Sequence, residues 1–170
     1  MAKIHLITGG QRSGKSSLAQ ELAKQISPEP VYLATSRIWD EDFQQRVNRH
    51  KNDRGNEWRN IEEEKYISKV NLPDNSVVVL DCITLWLTNF FHDNKFDLEK
   101  SVTEAKQEWD KFTKKNIILF VVTNEIGMGS HAQTASARRF GDLQGWINQY
   151  IARQAEKVSL MISGIAVRIK

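Results

Sequence analysis

The sequence predicts an α/β fold, a mostly parallel sheet flanked by helices on both faces and closed by a C-terminal antiparallel strand. Three observations carry that expectation. Short runs rich in β-branched residues alternate with longer amphipathic segments, the pattern of strands joined by crossover helices. Polar residues in the short runs sit at their ends, as in strands buried on both faces. The last two runs are separated only by a tight turn at Gly164, which pairs them antiparallel.

Each element follows in order. "KIHLIT", Lys3 to Thr8, is the first strand, and Ser16 to Ile26 the first helix, stopped by Pro28. "PVYLAT", Pro30 to Thr35, is the second strand; Asp40 to Lys51 and about Glu62 to Val70 carry helical periodicity. "SVVVLD", Ser76 to Asp81, is the third strand, followed by helices over Ile83 to Phe91 and Asp97 to Lys115. "NIILFVVTN", Asn116 to Asn124, is the fourth strand, Thr134 to Glu156 a long helix, and "KVSLMISG" with "IAVRIK" the closing pair. No repeat, low-complexity tract or Pro/Gly-rich linker interrupts the series, so residues 1–170 are expected to form one domain.

Composition narrows the class without choosing a partner. With 170 residues, 40% hydrophobic and 26% charged, the chain suffices for one sizeable core. The formal charge of +3 suits a local anion site as well as a nucleic-acid surface. Nucleic acid is disfavoured, because the basic residues gather at one loop with Trp58 the only aromatic nearby and no stacking series. The single cysteine, Cys82, forms no intrachain disulfide, no secretory signal pattern is present, and no run reaches the roughly 20 apolar residues of a membrane span. The expectation is a cytoplasmic protein. The edges of so small a mixed sheet, with five tryptophans in the chain, point to a homo-oligomer.

The first strand runs into "GGQRSGKSS", and Gly9, Gly10, Gln11, Arg12, Ser13, Gly14, Lys15 and Ser16 match a phosphate-binding loop in register. A strand precedes it and a helix follows, so the expected fold is of the P-loop NTPase type. In such a loop backbone N–H groups converge on phosphate oxygens, the helix N-terminus adds partial positive charge, Lys15 reaches the β- and γ-phosphates, and the Ser16 hydroxyl joins a Mg²⁺ shell. Asp81 ends the third strand, where P-loop proteins keep an acid that supports the metal; the competing role is a cap on the helix that begins near Ile83.

That cradle leaves the reaction open, since a switch, a small-molecule kinase and a nucleotidyltransferase all need it. The stretch "RVNRHKNDRGNEW" bears on the choice. It sets His50 among Arg46, Arg49, Lys51 and Arg54. Surrounding positive charge keeps an imidazole neutral, hence nucleophilic toward phosphorus, and draws a triphosphate toward it. A basic, solvated helix end is the alternative from composition alone.

Several motifs in order, "ITGGQRSGKSSLAQELA", "YLATSRIWDEDFQQRVNRHKNDRGNEWRNIEE", "VVVLDCITLWLTNFF", "VVTNEIGMG" and "SGIAVRIK", span nearly the whole chain. Together they resemble the bifunctional adenosylcobinamide kinase/adenosylcobinamide-phosphate guanylyltransferase family of cobalamin biosynthesis. The resemblance implies an enzyme that phosphorylates adenosylcobinamide with ATP or GTP, then transfers GMP from GTP to the resulting phosphate through a guanylylated histidine, giving adenosylcobinamide-GDP. The position matching that histidine is His50. A single-activity P-loop kinase and a non-enzymatic GTP switch are the alternatives.

The same resemblance implies further roles. Ala34, Thr35 and Ser36 would line the nucleotide, Lys51, Asn52, Asp53 and Arg54 would contact GTP beside His50, and Glu62 would face the guanosine, whose N1–H and N2–H₂ donors suit a carboxylate; the alternative for Glu62 is an ordinary exposed helix residue. Asp81 occupies a position often held by Glu. Glu125, in "TNEIGMG", would orient the acceptor hydroxyl or act as its base, the alternative being a packing or turn-stabilising role. The family also implies a trimer. The pattern departs after Gly129, where Ala132 and Thr134 stand in place of the usual proline and asparagine and Gly141 precedes Asp142, although Arg138, Asp142, Gly145 and Asn148 match. That loop and helix are expected to meet the corrinoid or a neighbouring subunit.

Overall fold

The computed structural model describes residues 1–38, 55–129 and 131–170. One seven-stranded sheet organises them, built from β1 (Lys3–Gly9), β2 (Val31–Ala34), β3 (Arg59–Glu62), β4 (Val77–Asp81), β5 (Ile118–Val122), β6 (Lys157–Ile162) and β7 (Ile165–Arg168). The strand order is β3-β2-β4-β5-β1-β6-β7, and every pair is parallel except β6 with β7. This is the mostly parallel α/β sheet the sequence predicts, antiparallel closure included. Ser163 (φ 50°) and Gly164 (φ 85°) join β6 to β7, a two-residue turn with both φ values positive, which matches the right-handed twist of the flanking strands.

Alternation along the strands divides the core in two. Ile4 and Leu6 of β1, Val78 and Leu80 of β4, and Leu119 and Val121 of β5 pack against α2 (Ile83–Asp93), α3 (Leu98–Thr113) and α4 (Ala135–Gln154) through Trp86, Phe90, Trp109, Phe112, Leu143 and Ile147. Ile7, Val77, Val79, Phe120 and Val122 face the other way, onto Ala19 and Ala23 of α1 (Lys15–Ile26). α1 therefore leaves β1 toward one face while α2 and α4 leave β4 and β5 toward the other. A crevice opens where such connections diverge, at the carboxyl ends of the strands.

One expected element is corrected. The sequence suggests a helix from about Glu62 to Val70; instead Arg59–Glu62 is a strand, and only a single 3₁₀ turn, Ile67–Lys69, follows. The Glu63 carboxylate accepts from the backbone N–H of Lys65 at 2.9 Å and of Tyr66 at 2.7 Å, and Glu108 accepts from that of Ser68 at 2.7 Å. Those side chains take the donors a helix would use, while Glu63 N–H bonds to the Ala34 carbonyl and continues the parallel pairing with β2. The helix expected over Asp40 to Lys51 lies outside the described residues.

Candidate functional site

Parallel pairing brings the carboxyl ends of five strands to one edge: Ala34 is in register with Asp81 and with Glu62, Asp81 with Val122, and Val122 with Ile7. β1 ends there in Gly9, whose φ of 148° and close backing admit no side chain: an added Cβ would lie 2.5 Å from the Met161 carbonyl. Gly14 enters α1 in the left-handed region (φ 95°). Its missing side chain leaves the first N–H groups of α1 without a side-chain cap, whereas Cys82, Asp97 and Thr134 cap α2, α3 and α4. An uncapped helix start approached by a glycine loop is how a polypeptide receives phosphate. Gly10, Gln11 and Arg12 are exposed on the rim, and Ser13 is buried beneath it.

Lys15 lies folded into this loop, its ammonium donating to the Gly10 carbonyl and, at 3.4 Å, to Ser13 Oγ. Burial pushes the ammonium below the usual lysine range, with Asp81 opposing. The Cys82 thiol is pushed up to about 12 by burial, stays neutral near pH 7 and so adds no charge. Lys15 thus occupies the loop through bonds that an arriving phosphate replaces.

Asp81 does not cap α2; the Cys82 sulfur accepts from Leu85 N–H instead, and the Asp81 carboxylate receives the Tyr32 hydroxyl at 2.6 Å. Ser16 and Asp81 offer a hydroxyl and a carboxylate, and among the described residues no group of three His, Cys, Asp or Glu side chains gathers to enclose a metal. So sparse a donor set fits Mg²⁺, which keeps several waters and borrows phosphate oxygens.

The remaining expected residues divide. Ala34 and Ser36 are partly exposed at the end of β2, but Thr35 is fully buried: its hydroxyl donates to the Cys82 carbonyl at 2.8 Å and accepts from Cys82 N–H at 3.0 Å. Thr35 therefore fastens β2 to the start of α2 with its side chain. Glu62 stands exposed at the end of the edge strand β3. Glu125 follows β5, its backbone N–H bonded to the Gly9 carbonyl at 3.1 Å and its carboxylate to Thr8 Oγ1 at 2.8 Å, which places it at the base of the phosphate loop. His50, Lys51, Asn52, Asp53 and Arg54 lie outside the described residues.

Sequence reasoning passed over Tyr32. A diagonal cross-strand signal existed, since Tyr32 pairs with Val79 and Asp81 is two residues further along the same face, within reach of an aromatic side chain. Thr8, which bonds Glu125, and Thr123 and Gln144, which bond its neighbour Asn148, carry no spacing signal.

Comparison with known proteins adds the following. A family model described as cobinamide kinase / cobinamide phosphate guanyltransferase matches residues 5–169. The bifunctional adenosylcobalamin biosynthesis protein CobU of Escherichia coli is 34% identical over 185 aligned residues, covering 97% of this chain and 98% of its own. The corresponding protein CobP of Pseudomonas aeruginosa is 33% identical over 171, covering 97% and 96%. Among solved structures, an ATPase of a bacterial type III secretion system superposes with a TM-score of 0.60 at 9% identity, over 98% of this chain and 56% of that one, a likeness of fold alone.

Proposed function

The chain belongs to the cobinamide kinase / cobinamide phosphate guanyltransferase family, and from that premise we propose how one phosphate cradle serves both reactions. The observation that carries the proposal is the convergence at a single sheet edge of the glycine loop, buried Lys15, Asp81 and Glu125. In the first reaction the free hydroxyl of adenosylcobinamide attacks the γ-phosphorus of ATP or GTP in line. Loop amides and Lys15 hold the transferring group and the departing diphosphate, and Glu125 orients the hydroxyl and takes its proton. Ser16 and Asp81 are the residues that would hold Mg²⁺, which supplies charge neutralisation at the phosphate oxygens.

In the second reaction the neutral imidazole of His50 attacks the α-phosphorus of GTP. The phosphorus–nitrogen bond forms as the bond to pyrophosphate breaks, and the same amides and Lys15 stabilise the leaving group. The phosphate of the acceptor then displaces the histidine, giving adenosylcobinamide-GDP. Two displacements avoid pressing two phosphate anions together in one transition state. Ala34, Ser36, Lys51, Asn52, Asp53 and Arg54 would line the nucleotide, and Glu62 at the end of β3 would accept from guanine.

The test is covalent labelling. Incubation with α-labelled GTP leaves acid-labile label on the wild-type chain and none on His50→Ala; label surviving that substitution rejects the assignment, and an unlabelled wild type points to a kinase or a switch. Lys15→Ala loses both activities, and full turnover retained in either one rules out a shared cradle.

A further inference from the structure

The carboxylate of Glu125 is held by one oxygen. Oε1 accepts from Thr8 Oγ1 at 2.8 Å and from Asn148 Nδ2 at 3.1 Å, while among the described residues Oε2 makes no hydrogen bond. Asn148 is itself oriented. Its Oδ1 accepts from Thr123 Oγ1 at 2.8 Å and from Gln144 Nε2 at 2.9 Å, and its Nδ2 also donates to the Asn124 carbonyl at 3.1 Å. Gln144 Nε2 donates to Thr123 Oγ1 at 3.0 Å, so the threonine hydroxyl must give its own proton to Asn148. With two donors on Oδ1, only the amide nitrogen of Asn148 can face Glu125. Thr8, Thr123, Gln144 and Asn148 are 5%, 0%, 1% and 6% exposed, so this polar web lies inside the protein.

Two donors from different elements, β1 and α4, thus fix the same oxygen. A carboxylate pinned at Oε1 cannot rotate its reactive oxygen away from the base of the loop, and preorganisation of that kind matters most where a proton must be taken from a positioned hydroxyl. We propose that Thr8 and Asn148 are positioning residues for the phosphorylation reaction, holding Glu125 so that Oε2 faces the attacking hydroxyl of the acceptor. The inference rests on the role given to Glu125 above and adds the residues through which that role is exerted. Guanylylation of the protein by GTP involves no acceptor hydroxyl and does not need this alignment.

The two activities supply the control. Thr8→Val and Asn148→Asp each remove one donor to Oε1, the first with little change of volume. Each is expected to lower kcat for phosphorylation by about 10²-fold, the order a misplaced catalytic group costs. KM for the nucleotide and covalent labelling by α-labelled GTP should stay within twofold of wild type. In a Glu125→Gln background, Thr8→Val should add no further loss. Equal losses in phosphorylation and labelling would reduce these residues to structural support and overturn the proposal, as would unchanged phosphorylation in Thr8→Val. Should Asn148→Asp fail to fold, Thr8→Val decides alone. If Glu125→Gln itself phosphorylates normally, the reading of Glu125 falls; if Glu125→Gln is impaired while Thr8→Val is not, only the positioning claim falls.

Discussion

Tyr32 joins two parts of the site. Its hydroxyl holds Asp81, and its ring meets Trp58, the residue before β3, edge-on with centroids 5.9 Å apart. Tyr32→Phe keeps the ring contact and frees the carboxylate. The Mg²⁺ concentration for half-maximal phosphorylation should rise about fivefold, equivalent to roughly 1 kcal/mol for one such hydrogen bond; an unchanged titration would show that Asp81 does not support the metal. His5 offers a pH prediction. Burial, then Lys157 and Arg168, hold its imidazole below the ordinary value, and Ser159 Oγ lies 2.8 Å from Nε2. Between that lowered value and the unfolded one near ~6.5 the unfolded chain binds more protons, so stability rises with pH there and is lost as pH falls. Urea midpoints at pH 7.5 and 5 should differ less for His5→Gln than for wild type, and an identical drop would remove His5 as a cause.

At the scale of elements, legibility followed the number of residues that had to agree. The loop between β1 and α1 was readable because two glycines, a lysine and a serine are fixed in spacing by one chemistry, with a strand before them and a helix after. β3 was not, because "RNIE" at a sheet edge buries little, and only its pairing with β2 and the turn held by Glu63 make it a strand. The web around Glu125 was equally hidden, since Thr8, Thr123 to Glu125, and Gln144 to Asn148 are three separate stretches that meet only through packing. Helices α1 to α4 were legible from their apolar faces, whereas the one expected from about Glu62 to Val70 is a strand followed by a 3₁₀ turn. α3 shows what such a face supports: Trp109 is fully buried and its indole N–H donates to Gln154 Oε1 at 2.9 Å, tying α3 to the end of α4. Trp109→Ala should cost about 3–5 kcal/mol by chemical denaturation, the usual range for removing a buried indole. Because Trp109 packs on the sheet face opposite α1, nucleotide affinity of the folded fraction should not change; a parallel loss of affinity would mean that the two faces are coupled.

Over the whole molecule, the sheet order could be anticipated only as far as parallel pairing with an antiparallel end, because alternation of strands and helices does not say which strand lies beside which. The observed order puts β1 in the interior between β5 and β6 and sets the β6–β7 turn against the phosphate loop: Gly164 N–H donates to the Ser13 carbonyl at 3.1 Å, and Gly164 Cα lies 3.4 Å from a Cβ built on Gly14. Gly164→Val places a β-branched residue at positive φ, a strain of about 1–3 kcal/mol. It should weaken nucleotide binding measured by calorimetry more than it lowers the thermal midpoint, and unaltered affinity would mean that the turn lends the loop nothing. Among the described residues no helix is long and apolar enough to cross a membrane.

The turn's contact with Ser13 joins segments far apart in the sequence. Until β6 and β7 have paired, the loop lacks its backing, and a contact of such long sequence separation closes slowly. Competence to hold a nucleotide should therefore arrive late in folding, after α1 has formed and only once the β6–β7 hairpin has docked.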